Sequence, residues 1–362
     1  MDCYITRTGS FLPGEPIASA DIHRYLGRLD GEEETREKVL AMNGITRRHY
    51  AQDQRQRATH DVYELAALAA QDCLGESIPN IRLSLLTAGT TYAPLAAPGI
   101  ASILHSRLRE SGHLNHPLEI SSHAGVCTSA SAALMGGIRA VQLGDHRAAL
   151  CVAAEHASEI LKSTTIQPID DRDEHTNLRE SRWFMSIFLR FMLSDGAGAF
   201  LLQDQADRDR LSLKVNWMHS MSFAHLAPLC MKLENPTALL SQDLAVLSKH
   251  LFPCADKFVK SALQTHGDTI DSHQVILPHM SSFFFQRKME RAITANLVNE
   301  DRPVPYWTNL ATAGNTGAAS IFVMLDEYLR SNELQEGQRL LLFVPESGQF
   351  NFVMISLTAV LP

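Results

Sequence analysis

Apolar runs of strand length alternate with helical patterns along the whole chain, and no other feature of the sequence constrains the fold as much. Runs rich in Val, Ile, Leu and Phe that are separated by helical segments are typical of layered α/β proteins, in which helices cover the faces of a sheet. The chain has 362 residues and is 45% hydrophobic, so it can bury a large core, and its length favours two packed units over one. We therefore predict a globular α/β fold.

The predicted elements follow one another in the same order in both halves of the chain. In the first half we expect strands near 4–12, 82–90, 118–122, 148–154 and 198–203 and helices near 59–75, 98–112 and 127–143. In the second half we expect strands near 211–219, 273–278, 305–310, 339–345 and 350–360 and helices near 237–265, 282–298 and 316–330. Each half also ends in a glycine-containing turn between apolar strands, in MLSDGAGAFLLQ and in PESGQFNFVMISL. The sequence thus predicts two similar halves, 1–205 and 206–362. Some repetition in the order of the elements is, however, expected in any α/β protein.

A distinctive polar residue stands before the third predicted helix of each half. Cys127 lies in HAGVCTSASAALMGGIRA, and Asn315 lies in ATAGNTGAASIFVML. If a pseudo-two-fold axis relates the halves, we expect these two residues to face each other across the middle of the molecule.

Cys127 is predicted to lie at the N-cap or in the first turn of its helix. Apolar residues follow it at the spacing of one helical face: Ala130, Leu134, Ile138 and Val141. The unpaired N–H groups and the positive dipole end at such a position favour thiolate over thiol, and they can also bind an oxyanion. Small residues at 130–133, 136 and 137 are expected to let the helix approach other backbones closely.

The other cysteines are predicted to be inert packing residues, because free cysteines are among the most often buried residue types. They are Cys3, Cys73, Cys151, Cys230 and Cys254. The six cysteines form no C-x-x-C pair and have no histidine at the spacing of a zinc finger. A disulfide framework and a structural metal site are therefore not expected.

His279 is the first candidate partner for a nucleophilic thiol. It directly follows the apolar run QVILP, and the end of a strand delivers side chains into a central cleft. His123 is a weaker candidate, since its closeness to Cys127 in sequence does not establish contact. Glu155, at the end of AALCVAAE, is either a polar active-site residue or an ordinary strand-end carboxylate.

The charge and hydropathy of the chain exclude several functional classes. A formal net charge of -8 without a strongly basic segment argues against nucleic acid as the main partner and against a polybasic membrane anchor. The N-terminal MDCYITRTGSF does not have the pattern of a secretion signal, and no stretch reaches the roughly 20 apolar residues of a membrane span. We expect a cytoplasmic protein.

At these residues the chain resembles the thiolase superfamily and, within it, the β-ketoacyl-acyl-carrier-protein synthase III family. Several short motifs occur in the order of that family, and the resemblance covers nearly the whole chain. They are the Cys127 helix, SDGAGA at 194–199, PH at 278–279, GNTGAAS at 314–320 and the Gly348 turn. GITRRHY at 44–50 also resembles the family's substrate-entrance segment.

The resemblance implies a thiolase-like, five-layered αβαβα fold of two pseudo-symmetric halves, usually as a homodimer. It also implies that Cys127 attacks an acyl thioester while the backbone N–H groups of Cys127 and Gly348 form the oxyanion hole. His279 and Asn315 would then bind the thioester oxygen of a malonyl-type extender and stabilise the enolate left when carbon dioxide departs. The chain would need no metal or cofactor of its own, since its substrates are carried on coenzyme A or on the phosphopantetheine of an acyl-carrier protein.

The chain departs from the family pattern after the histidine. Residues 280–282, Met-Ser-Ser, follow His279 where the family often has Gln-Ala-Asn, and residues 283–285, Phe-Phe-Phe, replace a region that often carries a basic residue. Basic residues of the next helix are candidates for docking an acidic carrier protein instead, with a solvated helix face as an equal alternative. They are Arg287, Lys288 and Arg291.

Two further groups of residues are candidates for substrate binding. Arg47 and Arg48 of the entrance segment have the chemistry to grip a phosphate of coenzyme A or phosphopantetheine. In related enzymes the region near 156–190 helps to shape the acyl pocket. Its aromatic residues are therefore candidates for selecting the acyl chain, with packing of an amphipathic helix as the alternative: Trp183, Phe184 and Phe188.

We predict a condensing enzyme that forms an acyl-enzyme on Cys127 and joins it to a malonyl-type extender by decarboxylative Claisen condensation. The alternative is an acyltransferase on the same fold that passes the acyl group to an oxygen, nitrogen or sulfur acceptor. Asn315 favours condensation, since simple transfer has less need of an enolate-stabilising pair. The intact Cys-His-Asn set argues against a non-catalytic subunit. The duplicated α/β order argues against a papain-like hydrolase. The residues after His279 favour specialised metabolism over primary fatty-acid synthesis.

Overall fold

The computed structural model of the chain describes residues 1–29, 32–75, 82–166, 187–234, 239–299, 301 and 303–362. The strands in these ranges are β1 (Tyr4–Phe11), β2 (Ile17–Ala18), β3 (Arg47–Arg48), β4 (Leu85–Thr90), β5 (Glu119–Ala124), β6 (Ala148–Glu155), β7 (Gly196–Gln203), β8 (Ser212–Ser222), β9 (Met231–Glu234), β10 (Leu239–Gln242), β11 (Val275–Pro278), β12 (Arg339–Pro345) and β13 (Asn351–Val360). The α-helices are α1 (Ile22–Leu26), α2 (Glu33–Asn43), α3 (Val62–Leu74), α4 (Ile100–Glu110), α5 (Ser129–Leu143), α6 (Ala157–Leu161), α7 (Leu244–His266), α8 (Gln286–Thr294), α9 (Leu310–Ala313) and α10 (Ser320–Ser331). Short 3-10 helices are Ser19–Asp21, Ile270–Ser272, Phe283–Phe285 and Gly317–Ala319.

The main sheet repeats one strand order on its two sides. Its strands are hydrogen-bonded in the order β11-β12-β13-β8-β1-β7-β6-β4-β5. Outwards from the middle, one side runs β1, β7, β6, β4 and the other runs β8, β13, β12, β11. On both sides this is the first main-sheet strand of the half, then its last, its next to last and its second. β1 and β8 join the two sides through the pairs Tyr4↔Lys214 and Ile5↔Leu213. The α/β class is confirmed, and the predicted boundary after residue 205 lies between β7 and β8.

Alternate side chains of the inner strands enter two different cores, because successive residues of a strand point to opposite faces of the sheet. All of β6 is buried, and residues 149, 151 and 153 enter a central core while residues 148, 150, 152 and 154 enter an outer core under α3 and α4. β13 behaves in the same way, with residues 353, 355 and 357 in the central core and residues 352 and 354 in an outer core under α7. Each side of the sheet is therefore covered on both faces.

α5 and α10 form the middle layer between the two sides of the sheet, where they share the central core. Glycines let them come close. A Cβ on Gly89 of β4 would lie 2.6 Å from Cα of Ala130 in α5, and a Cβ on Gly198 of β7 would lie 2.5 Å from Cβ of Phe322 in α10. With α3 and α4 outside one side of the sheet and α7 outside the other, the layers are helices, sheet, helices, sheet, helices. This confirms the predicted five-layered αβαβα architecture.

The segment predicted as a strand near 305–310 forms a single β-bridge, between Tyr306 and Ile276. Pro303 and Pro305 lie beside this bridge and have no N–H group to donate to a neighbouring strand. Helix α9 then begins at Leu310. The strand prediction was therefore wrong apart from this one contact.

α7 begins later than predicted, because residues 239–242 pair with β9 in a two-stranded sheet. The side chain of Asp243 caps the helix by accepting a hydrogen bond from the N–H of Val246 at 2.9 Å. The sequence patterns missed this small sheet, and they also missed α1, α2 and α6. Within the described ranges, no helix is both long and apolar enough to cross a membrane.

Two adjacent glycines of α5 give a matched test of how closely this helix packs. A Cβ on Gly137 would lie 2.5 Å from Sγ of Cys151 and 3.0 Å from Cδ1 of Leu202, whereas the nearest contact of a Cβ on Gly136 would be Nε2 of His123 at 4.0 Å. We expect Gly137→Ala to lower the free energy of unfolding by about 1–3 kcal/mol through overpacking. We expect Gly136→Ala to leave it unchanged or to raise it by up to about 1 kcal/mol. Urea unfolding followed by circular dichroism measures both variants, and equal changes would contradict the close packing.

Candidate active site

Three residues from distant parts of the chain line one cavity of about 110 Å³. Cys127 precedes α5, His279 follows β11 and Asn315 follows α9. The first belongs to the first half of the chain and the other two to the second, so the cavity lies where the halves meet. Within the described ranges, no group of three His, Cys, Asp or Glu side chains could hold a metal ion.

Cys127 lies just before Thr128, the N-cap of α5. The thiol is partly buried, and burial raises its pKa, with further contributions from the negative charges of Glu346 and Glu155. The neutral thiol is therefore the resting form, and the expectation of a thiolate favoured by the helix was wrong. The main physical reason is burial of the thiol, and an anion at the helix start adds to it. The carboxylate of Glu346 accepts hydrogen bonds from the N–H of Thr128, at 3.0 Å, and from its hydroxyl.

The backbone N–H groups of Cys127 and Gly348 donate to no other residue in the part of the chain that the structure describes. The two segments lie against each other, since a Cβ on Gly348 would be 3.2 Å from Cγ2 of Val126. Two unengaged N–H groups at one site have the chemistry that binding of an oxyanion requires. Their joint action as an oxyanion hole stays a prediction.

His279 enters the cavity as a neutral ring. The backbone N–H of His279 donates to the carbonyl of Phe343 at 2.8 Å, which continues the pairing of β11 with β12. Burial lowers the pKa of the ring to about 4, so it carries no charge at neutral pH. Its Nδ1 is buried and has no hydrogen-bond partner among the described residues. The ring can therefore act in the cavity as a donor or an acceptor, according to its tautomer.

Asn315 is held from both its backbone and its side chain. Its carbonyl accepts from the N–H of Ser194 at 2.8 Å, and its N–H donates to the carbonyl of Met192 at 3.3 Å. The side-chain Oδ1 accepts from the N–H of Gly317 at 3.0 Å. Because a backbone N–H can only donate, this contact fixes the orientation of the amide and leaves Nδ2 as a donor.

Glu155 is a cavity residue, a choice that the sequence left open. Its Oε1 accepts hydrogen bonds from the N–H of Thr91 at 3.1 Å, from the hydroxyl of Thr91 at 2.5 Å and from the N–H of Ala318 at 3.1 Å. Burial raises the pKa of the carboxyl to about 7, although these hydrogen bonds act in the opposite direction. Glu155 therefore ties the end of β6 to the turn that follows Asn315.

Glu346 was not predicted as a site residue. It lies in PESGQF, a turn that was singled out only for Gly348. An acidic side chain close to this glycine was the one available signal. Its contact with Thr128 joins residues 218 positions apart, a separation that no local pattern reveals.

Arg48 has a structural role instead of the predicted phosphate contact. Its side chain is 0% exposed, and the guanidinium donates to the carbonyl of Phe191 at 2.7 Å and to the hydroxyl of Ser19 at 2.9 Å. A fully buried guanidinium cannot bind a phosphate that arrives from solvent. Arg47, its neighbour in β3, is exposed, and its contact with a phosphate stays a prediction.

The aromatic residues predicted to shape the acyl pocket are only partly accounted for. Trp183 and Phe184 lie outside the described residues. Phe188 is buried in a core beside α1 and α2 and is not among the residues that line the cavity, so its predicted role was wrong. Residues that the sequence patterns did not single out form the apolar wall of the cavity, because only tertiary contacts show which face of their elements points inward. They are Leu247, Leu251, Phe252, Ala255, Met280, Phe285 and Met289.

The basic residues predicted to dock a carrier lie on the outer face of the cavity wall. Arg287, Lys288 and Arg291 are all exposed on α8. Met289 of the same helix is buried and lines the cavity. Nζ of Lys288 lies 5.4 Å from the ring centroid of Phe252, another residue of the wall. Docking of a carrier on this face stays a prediction.

A five-layered αβαβα fold with cysteine, histidine and asparagine in one cavity between its halves defines a thiolase-like protein. The fold matches AbyA1, a tetronic acid condensing enzyme, with a TM-score of 0.76 and 19% identity over 98% of this chain and 99% of that chain. It also matches 3-oxoacyl-[acyl-carrier-protein] synthase III of Aquifex aeolicus, with a TM-score of 0.71 and 18% identity over 99% of this chain and 100% of that chain. OleA of Xanthomonas campestris gives a TM-score of 0.74 and 17% identity over 99% of both chains. At these identities the likeness shows the fold.

The sequence is also similar to a family model and to known proteins. Residues 263–349 match the family model described as 3-oxoacyl-[acyl-carrier-protein (ACP)] synthase III C terminal. The β-ketoacyl-[acyl-carrier-protein] synthase III of Xanthomonas campestris pv. campestris (strain 8004) is 26% identical over 347 residues, which cover 93% of this chain and 93% of that protein. The chain is therefore similar over nearly its whole length to the β-ketoacyl-[acyl-carrier-protein] synthase III enzymes, from which it diverges in sequence, and these relatives are condensing enzymes.

Glu155 makes the stability of the protein depend on pH. Its carboxyl has a pKa of about 7 when folded, against an ordinary value of 4.5, so between these values the folded state binds a proton that the unfolded chain releases. Stability therefore falls as pH rises from about 4.5 towards 7. Glu155→Gln retains an oxygen for the same three donors and removes this fall. We expect its melting temperature to match that of the wild type at pH 5 and to exceed it by a few degrees at pH 8. Identical melting temperatures at both values would contradict this account.

Arg48 and Arg47 form a matched pair for testing the structural role of the buried guanidinium. Arg48→Ala removes the guanidinium donor of the Ser19 hydroxyl and one of the two donors of the Phe191 carbonyl, whose other donor is the side-chain amide of Asn43. We expect it to lower the free energy of unfolding by about 2–4 kcal/mol. Arg47→Ala removes an exposed side chain and should change that free energy by less than about 0.5 kcal/mol. Urea unfolding compares the two variants. An Arg48→Ala protein as stable as the wild type would contradict the structural role and would again make Arg48 a candidate for binding substrate.

Proposed function

We propose that the protein is a decarboxylating condensing enzyme, which carries an acyl group on Cys127 and joins it to a malonyl-type extender. The observation that carries this proposal is the cavity shared by Cys127, His279 and Asn315. A nucleophile alone would serve for acyl transfer. A neutral imidazole and an oriented amide beside it are two donors suited to the oxygen of a developing enolate, which only the condensation forms.

The first step transfers an acyl group from a thioester to Cys127. The sulfur attacks the carbonyl carbon, the new carbon–sulfur bond forms as that of the donor breaks, and the thiol proton leaves with the sulfur of the donor. Because the resting group is a thiol, its proton must be removed during the attack. We assign this transfer to the neutral ring of His279 and the stabilisation of the oxyanion to the N–H groups of Cys127 and Gly348.

The second step forms the carbon–carbon bond. His279, as the tautomer with its proton on Nε2, and Nδ2 of Asn315 donate hydrogen bonds to the thioester oxygen of the malonyl-type extender. The carboxylate of the extender leaves as carbon dioxide, and its electron pair passes into the enolate that these donors stabilise. The enolate carbon attacks the acyl carbon, and the sulfur of Cys127 departs as a thiolate that takes a proton from solvent. The product is a 3-oxoacyl thioester.

The outer surface of the cavity wall suits an acidic substrate carrier. Arg287, Lys288 and Arg291 form an exposed basic face of α8, and Met289 connects the same helix to the cavity. The name of the Xanthomonas relatives includes the acyl-carrier protein. We therefore assign this face to a carrier protein, or to the phosphates of coenzyme A together with Arg47. The substrates bring phosphopantetheine with them, so the protein needs no cofactor of its own. The Met-Ser-Ser run after His279 supports a role in specialised metabolism over one in primary fatty-acid synthesis.

A homodimer is the assembly that the sheet favours. β5 forms one edge of the main sheet and pairs there with β4 alone among the described strands. Its side chains are largely exposed, including Ile120 at 41%. An exposed edge strand is a template for pairing with a second chain.

The acyl-enzyme is tested with a panel of acyl-coenzyme A donors and intact mass spectrometry. We expect an acyl adduct on the wild type that Cys127→Ala abolishes, because the nucleophilic sulfur is gone. Cys254→Ala changes a buried cysteine of α7 and is the matched control, which should keep the adduct. No adduct with any donor would remove the covalent mechanism.

The division of roles is tested by adding malonyl thioester to the acylated protein and following the release of carbon dioxide. For Asn315→Ala we expect condensation to fall by about 100-fold or more, while self-acylation falls much less. His279→Ala should slow both steps, because His279 also takes the proton of the thiol during acylation. Equal loss of both steps in Asn315→Ala would refute the assigned roles. Transfer of the acyl group to an added nucleophile without release of carbon dioxide would favour the acyltransferase alternative.

A further inference from the structure

Glu346 joins the two segments that carry the proposed oxyanion donors. Its carboxylate accepts hydrogen bonds from the N–H of Thr128, at 3.0 Å, and from the Thr128 hydroxyl. Asn351 completes the link from the other strand of the turn. Its side-chain amide donates to the Thr128 hydroxyl at 2.8 Å, and its carbonyl accepts from the N–H of Glu346 at 2.8 Å. The residue after Cys127 is thus tied to the turn between β12 and β13.

The other oxygen of this carboxylate faces Gly348. A Cβ on Gly348 would lie 2.9 Å from Oε1 of Glu346 and 3.2 Å from Cγ2 of Val126. The turn therefore packs against the residues around Cys127 with a carboxylate between the two segments. Glu346 is in a position to set the spacing between the N–H of Gly348 and the N–H of Cys127.

The same carboxylate places a negative charge near the thiol. The charges of Glu346 and Glu155 add to burial in raising the pKa of Cys127. His279 is a further titratable group of the cavity, and it is neutral because burial lowers its pKa to about 4. Cys127 therefore faces two carboxyl groups and an uncharged ring.

We propose that Glu346 is a positioning residue, which holds the two oxyanion donors at a fixed spacing and, together with burial, keeps the nucleophile protonated until an acyl donor arrives. The catalytic part of this inference rests on the proposed acyl-enzyme, whereas the electrostatic part concerns the resting protein alone. A consequence is a preference for uncharged acyl groups on Cys127. Like charges at close range repel, so an anionic group such as malonyl is disfavoured on the sulfur and remains available as the extender.

The electrostatic part is tested by the pH dependence of Cys127 alkylation with iodoacetamide. Glu346→Gln keeps an oxygen for Thr128 and removes the charge, so we expect the alkylation rate at pH 8 to rise about 3- to 10-fold. Glu336→Gln is the matched control. Glu336 accepts from the N–H of Leu361 at 2.5 Å and precedes β12, at the opposite end of that strand from Glu346. Its profile should coincide with that of the wild type. An unchanged rate for Glu346→Gln overturns the inference.

The positioning part is tested by self-acylation with matched neutral and anionic donors, butyryl- and malonyl-coenzyme A. Glu346→Ala loses both the charge and the tie to Thr128, and we expect butyryl transfer to slow about 10-fold or more. Glu346→Gln keeps the tie and should stay within about 3-fold of the wild type. Both variants should form more malonyl adduct relative to butyryl adduct than the wild type.

The outcomes separate this inference from the proposed function. Butyryl transfer at the wild-type rate by a folded Glu346→Ala protein refutes positioning, and thermal melting shows whether that protein is folded. If Glu346→Ala is unfolded, Glu346→Gln decides. Butyryl transfer by Glu346→Gln that is much slower than in the wild type, together with faster alkylation, refutes the claim that the hydrogen bond to Thr128 positions the donors while the charge controls the thiol. A wild type that accepts no donor refutes the acyl-enzyme, while the alkylation profile still decides whether Glu346 controls the thiol.

Discussion

The close packing of α5 and α10 between the two sides of the sheet is the constraint on which the rest of the structure depends. Gly89 and Gly198 remove the Cβ atoms that would otherwise collide with these helices. Both helices start beside the same cavity, so the residues that precede them, Cys127 and Asn315, meet there. The site is therefore positioned by contacts between backbones, which a closely packed interior holds more firmly than flexible side chains can.

Burial gives the cavity its chemical character. It keeps His279 uncharged, raises the pKa of Glu155 to about 7 and favours the thiol form of Cys127. Hydrogen bonds then fix the orientation of the groups, as the N–H of Gly317 does for the amide of Asn315. A site built in this way holds donors ready for charge that develops only during reaction, which is the condition for electrostatic catalysis.

The parts of the fold that could be predicted are those specified by local patterns. The runs that became β6 and β13 are apolar on both faces because each face enters a core, and this leaves a clear signal. The segment near 305–310 looked similar, yet Pro303 and Pro305 limited it to one bridge. Residues 239–242 carried a helical pattern and became a strand, because a partner strand was available in β9. Tertiary pairing outweighed local propensity there.

The sequence by itself determined the order of the elements and the type of residue at the end of each, and so identified Cys127, His279 and Asn315 as candidates. Only the tertiary structure decided the surroundings of those residues. Arg48 was predicted to bind substrate and is instead buried, and Glu346 was passed over and lies at the start of α5. The physical reason is that periodicity depends on neighbours within a few positions, whereas the charge around a thiol depends on groups brought together by folding. Of the two carboxyl groups that raise the pKa of Cys127, the one with the larger effect is Glu346, which lies in the last turn of the second half of the chain.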